Sequence, residues 1–501
     1  MVTELLPAGA PEMPWIVAAP LLAACALLIT RRGSAALGLT ASVGVAGLTA
    51  WLVGRLVLEG PQRMSMGGWS EPLGITLLAD GLSGCMLGTT ALVGLLVSVH
   101  ASAYFGPHAD GDRSRAFWPL WMFLWAALNA LILAADVFNI YVALELLGLS
   151  AVALVALSPG APAVSAAVRY LMVSLTGSLC YLMGAAFLYG GAGVLGFASL
   201  EGVLQPEPYS FIALALMSAG LCMKSALFPL HFWLPPAHAN APAPVSAALS
   251  ALVVKASFFV LLRLWLGVFD RIVSPEMALI PGLLGAAAVI AGSVRALSAP
   301  RLKQMIAYST VAQIGYLFMG LPLGMSPATR RAAVGGVVYL VAAHACAKAA
   351  AFLAAGNVLQ AYGHDRIDDL RGVVQQMPVS MFAFAVAGVS LIGLPPSGGF
   401  VAKWLLLSAA IAEAQWGYAT VIVAGGLLAT AYVFRVFSRS FRNVSSGSVP
   451  GAFRKVSGRM EWSALMLALC SMLIGVTGAY VLEFMQTGAS LIDLPAPEAT
   501  R

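Results

Sequence analysis

The sequence predicts an all-α polytopic membrane protein of about fourteen transmembrane helices. Two inverted five-helix repeats are expected, with helices 7 and 12 broken. Three observations carry this. The 501-residue chain is 60% hydrophobic and 10% charged, against about 25% charged residues in ordinary soluble domains, and its mean hydropathy is +0.89. Apolar windows of roughly 20 residues, the length that crosses a bilayer, recur from end to end. Two of these windows are interrupted by proline and glycine at corresponding positions of two halves, the best sequence pointer to inverted repeats.

The windows fall near 14–31, 36–58, 82–105, 117–134, 137–158, 165–190, 209–228, 241–266, 277–298, 305–323, 333–358, 378–415, 418–438 and 462–485. The first has no basic residues before it and ends at Arg31-Arg32 without a small-residue cleavage site. It reads as a retained span rather than a cleaved signal. Residues 1–115 then hold helices 1–3, 116–266 the first repeat (helices 4–8), and 277–440 the second (helices 9–13). Residues 441–501 hold a basic loop, helix 14 and a tail. Helix 7 ends in ALFPLHFWLPP, and helix 12 breaks at GLPPSGGF before resuming at VAKWLLLSAA.

Orientation follows from the loop Lys and Arg. With the N-terminus outside, the inside loops hold Arg31, Arg32, Arg113, Arg115, Arg295, Arg301, Lys303, Arg366, Arg371, Arg435, Arg439, Arg442, Arg454, Lys455 and Arg459. The outside loops hold only Arg55, Arg63, Arg271, Arg330 and Arg331. Both termini are therefore expected outside, and the net charge of +6 reads as topology rather than as nucleic-acid binding. Six basic residues remain within spans: Arg169, Lys224, Lys255, Arg263, Lys348 and Lys403. Arg263 lies near a span end and is expected to snorkel. Asp80 and Asp136 also sit near span ends, which leaves Glu145, in mid-span, as the one clearly buried carboxylate.

A lysine at membrane depth costs about 2.5–3.5 kcal/mol on insertion scales. Helix-breaking prolines there need neighbours or a wet cavity to satisfy the freed backbone. The stretch Met223–Leu264 combines both: Lys224 and Lys255 flank His231, His238 and Pro229, Pro235, Pro236, Pro242 and Pro244. An ion path is the simplest reason to keep them. His344 and Lys348 are four apart and share a helix face. His231 and His238 have no third ligand nearby, so no metal is expected. Six cysteines stand singly in apolar runs without metal-ligand spacing. GLPPSGGF lacks the ending of a phosphate loop, and no hydrolase, dinucleotide, haem or iron–sulfur fingerprint appears. No cofactor is expected.

At this point the residues resemble a family. KSALFPLHFWLPPAHANAPAPVSAALSALVVKASFFVLLR, RLKQMIAYSTVAQIGYLFMG (301–320), HACAKAAAFLAAG (344–356) and SLIGLPPSGGFVAKW (390–404) are similar to signatures of the proton-conducting antiporter-like subunits. These are shared by respiratory complex I, membrane-bound hydrogenases and Mrp-type sodium/proton antiporters. The length, a lysine at 403 and the stretch SAAVRYLMVSLTGSLCYLMGAAFLYGGAGVL resemble most the D-type component of the Mrp antiporter. One departure is Pro236, where the family usually has aspartate in LPDAH.

The resemblance implies that Glu145 and Lys224 form an ion pair whose separation drives proton transfer. It makes Lys255 the relay between halves and Lys403 the exit-side group. His238, His344, Lys348 and His231 become accessory path residues. It implies a non-enzymatic subunit of a multi-subunit cation/proton antiporter in a bacterial inner membrane, with other membrane subunits, protons and sodium as partners. The alternative is the same pump element in a complex I-type NADH-quinone oxidoreductase or a membrane hydrogenase, itself redox-inactive. A lone solute transporter, or a partner of a soluble zinc protein in inorganic carbon uptake, would also use this fold.

Overall fold

The computed structural model describes residues 10–30, 34–69, 74–105, 111–442 and 453–485. Arg31, Arg32 and both chain ends lie outside these. Twenty helices follow in order. They are α1 (Glu12–Ile29), α2 (Ser34–Glu59), α3 (Gly81–Tyr104), α4 (Gly111–Leu133), α5 (Val137–Val155), α6 (Ala161–Ala192), α7 (Phe197–Val203), α8 (Pro208–Lys224), α9 (Leu234–Asn240) and α10 (Ala243–Ala248). After these come α11 (Val254–Arg263), α12 (Pro275–Ser298), α13 (Leu302–Leu323), α14 (Pro327–Tyr362), α15 (Val373–Gln376), α16 (Pro378–Ile392), α17 (Gly398–Ala412), α18 (Trp416–Ser440), α19 (Gly458–Val476) and α20 (Gly478–Met485). An antiparallel hairpin, β1 (Gln62–Ser65) with β2 (Thr76–Ala79), is the only sheet among the described residues.

Among the described residues, twelve helical stretches are long and apolar enough to cross a membrane, counting Ala243–Val268 as one. Two interrupted spans, α8 with α9 and α16 with α17, complete fourteen. The order of lengths repeats. In each run of five the third helix is longest, 32 residues in α6 and 36 in α14, and the fourth is broken. Because five is odd, the second run enters the membrane from the opposite side and is inverted relative to the first.

The breaks have local causes. After Lys224 the chain turns through Ala226, whose φ of +55° is left-handed backbone that a side chain disfavours by about 1–2 kcal/mol. Pro229 follows two residues after Leu227. In the second run, Gly393 closes α16 at φ +90°, and Ser397 caps α17 by accepting from the Phe400 amide at 3.2 Å. Asp80 and Asp136, read from the sequence as span-end acids, are N-caps: Asp80 accepts from Ser83 N, and Asp136 from Phe138 N and Asn139 N. Helix α14 runs through the centre, almost wholly buried, against α3, α13, α16, α17 and α19.

Candidate functional site: a file of buried lysines

Lys224 is the last residue of α8 and is buried. Its Nζ donates to Ser174 Oγ on α6 at 3.0 Å and to Leu144 O on α5 at 3.4 Å. At the C-terminus of a helix an ammonium also meets the negative end of the dipole. Gly148 makes room for this arrangement, because a Cβ there would stand 2.4 Å from Ser174 Oγ. Glu145 is half-buried, on the α5 face where Phe138, Val142 and Leu149 are exposed. It acts electrostatically on Lys224, yet no contact within 4 Å joins the two among the described residues. In this conformation the pair is open.

A void of about 10 Å³ beside Lys224, lined by Ser174, Val253 and Ser257, has room for roughly one water. Two of its lining residues, Val253 and Ser257, flank Lys255 in the chain. Between α10 and α11 the helix widens into a π-helical stretch, Leu249–Val253, a local device often found at functional sites. Fully buried Lys255 reaches back along its own helix to the carbonyls of Ser250 (2.6 Å) and Ala251 (2.9 Å).

His344 and Lys348 lie on one face of α14, both buried. Lys348 donates to Ile306 O at 2.9 Å and to Ser309 Oγ, both on α13. The lysines whose charges act on His344 are Lys255, Lys348 and Lys403. Lys403 of α17 crosses the second break. Its Nζ donates to Leu391 O (2.9 Å) and Ile392 O (3.0 Å) at the end of α16 and lies 4.7 Å from the Tyr316 ring centroid. Such terminal carbonyls have no partner within their own helix. Gly393 lets the lysine stem pass, because a Cβ would sit 2.8 Å from Lys403 Cδ.

His238 on α9 is wholly buried and stacks on Phe352 of α14, ring centroids 4.8 Å apart. Neither ring nitrogen has a protein partner. His231 is half-buried against Phe228 at 5.5 Å and takes no part in the cluster of charges around His344. Arg169 is exposed on α6.

Four features differ from the sequence reading: Glu145, expected as the one clearly buried carboxylate, is only half-buried on an outward face of α5, while Asp80 and Asp365 are buried. Lys303, counted as a loop residue, is buried in the first turn of α13, and its Nζ donates to Ala241 O. Arg263 does not snorkel: it pairs with the buried Asp80 at 2.6 Å, tying α11 to α3. His100, not singled out at all, is buried with its Nε2 2.9 Å from Asn357 Oδ1. Asn357 in turn donates to Ser380 Oγ and Met460 O, and Ser380 donates to Glu461. This network joins α3, α14, α16 and α19.

The family model described as "NADH:quinone oxidoreductase/Mrp antiporter, TM" matches residues 134–429. The chain is 37% identical over 416 residues to the N-type component of the NADH-quinone oxidoreductase of Desulforudis audaxviator (strain MP104C), covering 81% of this chain and 80% of that one. It is 27% identical over 452 residues to the D-type component of the Na(+)/H(+) antiporter of Bacillus subtilis (strain 168), covering 89% of each. Its fold superposes with a TM-score of 0.87 on a chain in the structure of the Mrp complex from Dietzia sp. DQ12-45-1b, at 25% identity, covering 96% of this chain and 97% of that one. The matched span takes in Glu145, Lys224, Lys255, His344, Lys348 and Lys403, and the chain belongs to the NADH:quinone oxidoreductase/Mrp antiporter transmembrane family.

Proposed function

We propose that this chain is the proton-translocating membrane subunit of a multi-subunit Na+/H+ antiporter. The observation that carries the reading is the file itself. Lys224, Lys255, Lys348 and Lys403 are all buried, each held by backbone carbonyls or hydroxyls and, among the described residues, none by a carboxylate within salt-bridge reach. Carbonyl and hydroxyl contacts satisfy an ammonium without neutralising it, and burial favours the neutral amine. A relay requires groups that are satisfied while charged and not locked to a carboxylate, and these contacts meet that requirement.

Glu145 supplies the switch. When it closes on Lys224 the ammonium is favoured, and when it withdraws the proton is released toward Lys255 through the small void. His344 and Lys348 pass it to Lys403 across the second break, with His238 and His231 as accessory groups. Helices 4–8 and 9–13, residues 116–266 and 277–440, are the two working halves. The chain lies in a bacterial inner membrane with both termini outside, and other membrane subunits supply the cation route.

A second reading is favoured by the 37% identity to a component of an NADH-quinone oxidoreductase: the same file driven by a redox module. Everted vesicles carrying the complete operon separate the two. Collapse of a preformed ΔpH on sodium addition, abolished by Glu145→Ala and Lys224→Ala in assembled complexes, supports the antiporter. ΔpH formation driven by a reduced substrate, with no sodium response, supports the redox-coupled pump.

A further inference from the structure

The path from Lys224 to Lys403 leaves Lys303 unused, although it is more deeply buried than Lys224 or Lys403, with 1% of its surface exposed. Its surroundings have a definite layout. Asp365, itself buried, receives Arg301 Nε on Oδ1 at 2.7 Å and the Lys303 backbone amide on Oδ2 at 3.0 Å. A carboxylate at a helix N-terminus is favoured there, so it pins the start of α13. The Arg301 side chain is 41% exposed, so this pair forms the rim of the site on the aqueous side.

Lys303's side chain leaves its pinned backbone and turns inward, where Nζ meets the carbonyl of Ala241 in the break between α9 and α10. An ammonium carries three donors, and a single protein acceptor holds this one. Three residues before Ala241 stands His238, whose two ring nitrogens have no protein partner. The charges acting on His238 are, in order, those of Lys303, Lys348 and Lys255. His238 also stacks on Phe352 of α14, which stands one helical turn from Lys348.

We propose that Lys303, beneath the Arg301–Asp365 rim, is a proton-carrying port that joins the aqueous side bearing Arg301 to the file through His238. The step is a reversible transfer. The Lys303 ammonium gives one proton to a bare nitrogen of His238 and becomes a neutral amine, and the imidazolium passes that proton on toward Lys348. Lys303 is then reprotonated from the rim. Other basic groups mark the same end of the bundle: Arg435 binds Leu297 O and Ala299 O, and Arg439 faces Asp368. By the excess of Lys and Arg in its loops this is the cytoplasmic side. The proposal rests on the proton-file reading, and Lys303 acts in it as a carrier rather than as an anchor for the α9–α10 break.

The test uses the complete complex in everted vesicles, with assembly checked for each variant. Lys303→Gln keeps a donor for Ala241 O but does not titrate, and Lys303→Arg keeps the charge but does not release its proton. Both are expected to assemble and to slow sodium-dependent ΔpH collapse by about a hundredfold or more, the lower range for loss of a proton-transfer group. The solvent deuterium isotope effect should rise above that of the unmutated complex. A merely structural lysine would be rescued by one of the two and would leave the isotope effect unmoved; either result overturns the port. Lys224→Ala runs alongside. If it is silent while both Lys303 variants run at full rate, the port falls and the file stands. If Lys224→Ala runs at full rate, the file itself falls.

Discussion

Gly393→Ala isolates what the second break does for Lys403. Two costs follow from the structure. At φ +90° an alanine loses about 1–2 kcal/mol relative to glycine. Its Cβ would also stand 2.8 Å from Lys403 Cδ, so the lysine stem must move. Moving it withdraws Nζ from Leu391 O and Ile392 O, now at 2.9 and 3.0 Å, and a hydrogen bond from a charged donor is worth about 1.5–3 kcal/mol. If one bond is lost and one re-forms, the total is about 3–5 kcal/mol, split between backbone and lysine.

A double-mutant cycle separates the parts. Gly393→Ala is made alone and together with Lys403→Ala, and thermal inactivation of the purified complex is followed with the rate of ΔpH collapse. The expected result is a much smaller penalty for Gly393→Ala once Lys403 is gone, leaving only the backbone share. In the Lys403 background transport should fall along with stability. An equal penalty in both backgrounds, or an unchanged single variant, would refute the claim that the glycine exists to pass the lysine.

Other expectations concern residues away from the file. Asn357→Leu, nearly the same size, should leave His100 with a buried orphan nitrogen at about 1–3 kcal/mol and lower the melting temperature of the complex; retention of the unmutated melting temperature would dismiss the four-helix network. Arg263→Leu should be more severe, about 3–5 kcal/mol, because it strands the buried Asp80. Adding Asp80→Asn should recover part of that loss, and no recovery would mean that the pair does not act as a unit. Ser174→Ala removes one of two partners from Lys224 and should slow proton transfer with assembly intact; a normal rate would show that Leu144 O alone suffices.

Much of this was legible in the chain. The fourteen spans were readable because each is long and apolar, and both breaks because proline and glycine interrupt otherwise continuous runs. The lysines stood out for the same reason, as single charges within apolar windows. That contrast failed for Lys303, which follows Arg301 and Pro300 and so looked like part of a polar loop. Its burial depends on Ala241, 62 residues away, and nothing local reports that contact. Arg263 and Asp80 are 183 residues apart, and His100 and Asn357 are 257; each looked like an isolated polar residue at the end of a span until folding paired it.

The setting of Glu145 is different, because a signal was present. Phe138, Val142, Glu145 and Leu149 recur at helical spacing, and in the structure this stripe faces outward. Read that way, the sequence would have placed the carboxylate beside a neighbouring surface rather than deep in the bundle. This fits a switch that opens and closes better than a static buried pair, whose desolvation cost tends to cancel its attraction.

The proton file stands or falls on the residue between its halves. Lys255→Ala is made in the complete complex and purified, its assembly is verified, and sodium-driven proton flux is measured in proteoliposomes beside the unmutated complex. The expected result is an assembled complex whose flux falls by about two orders of magnitude or more, the scale of losing a positioned proton-transfer group. An assembled Lys255→Ala complex that moves protons at the unmutated rate would contradict the file, in which Lys255 is the relay between the two halves.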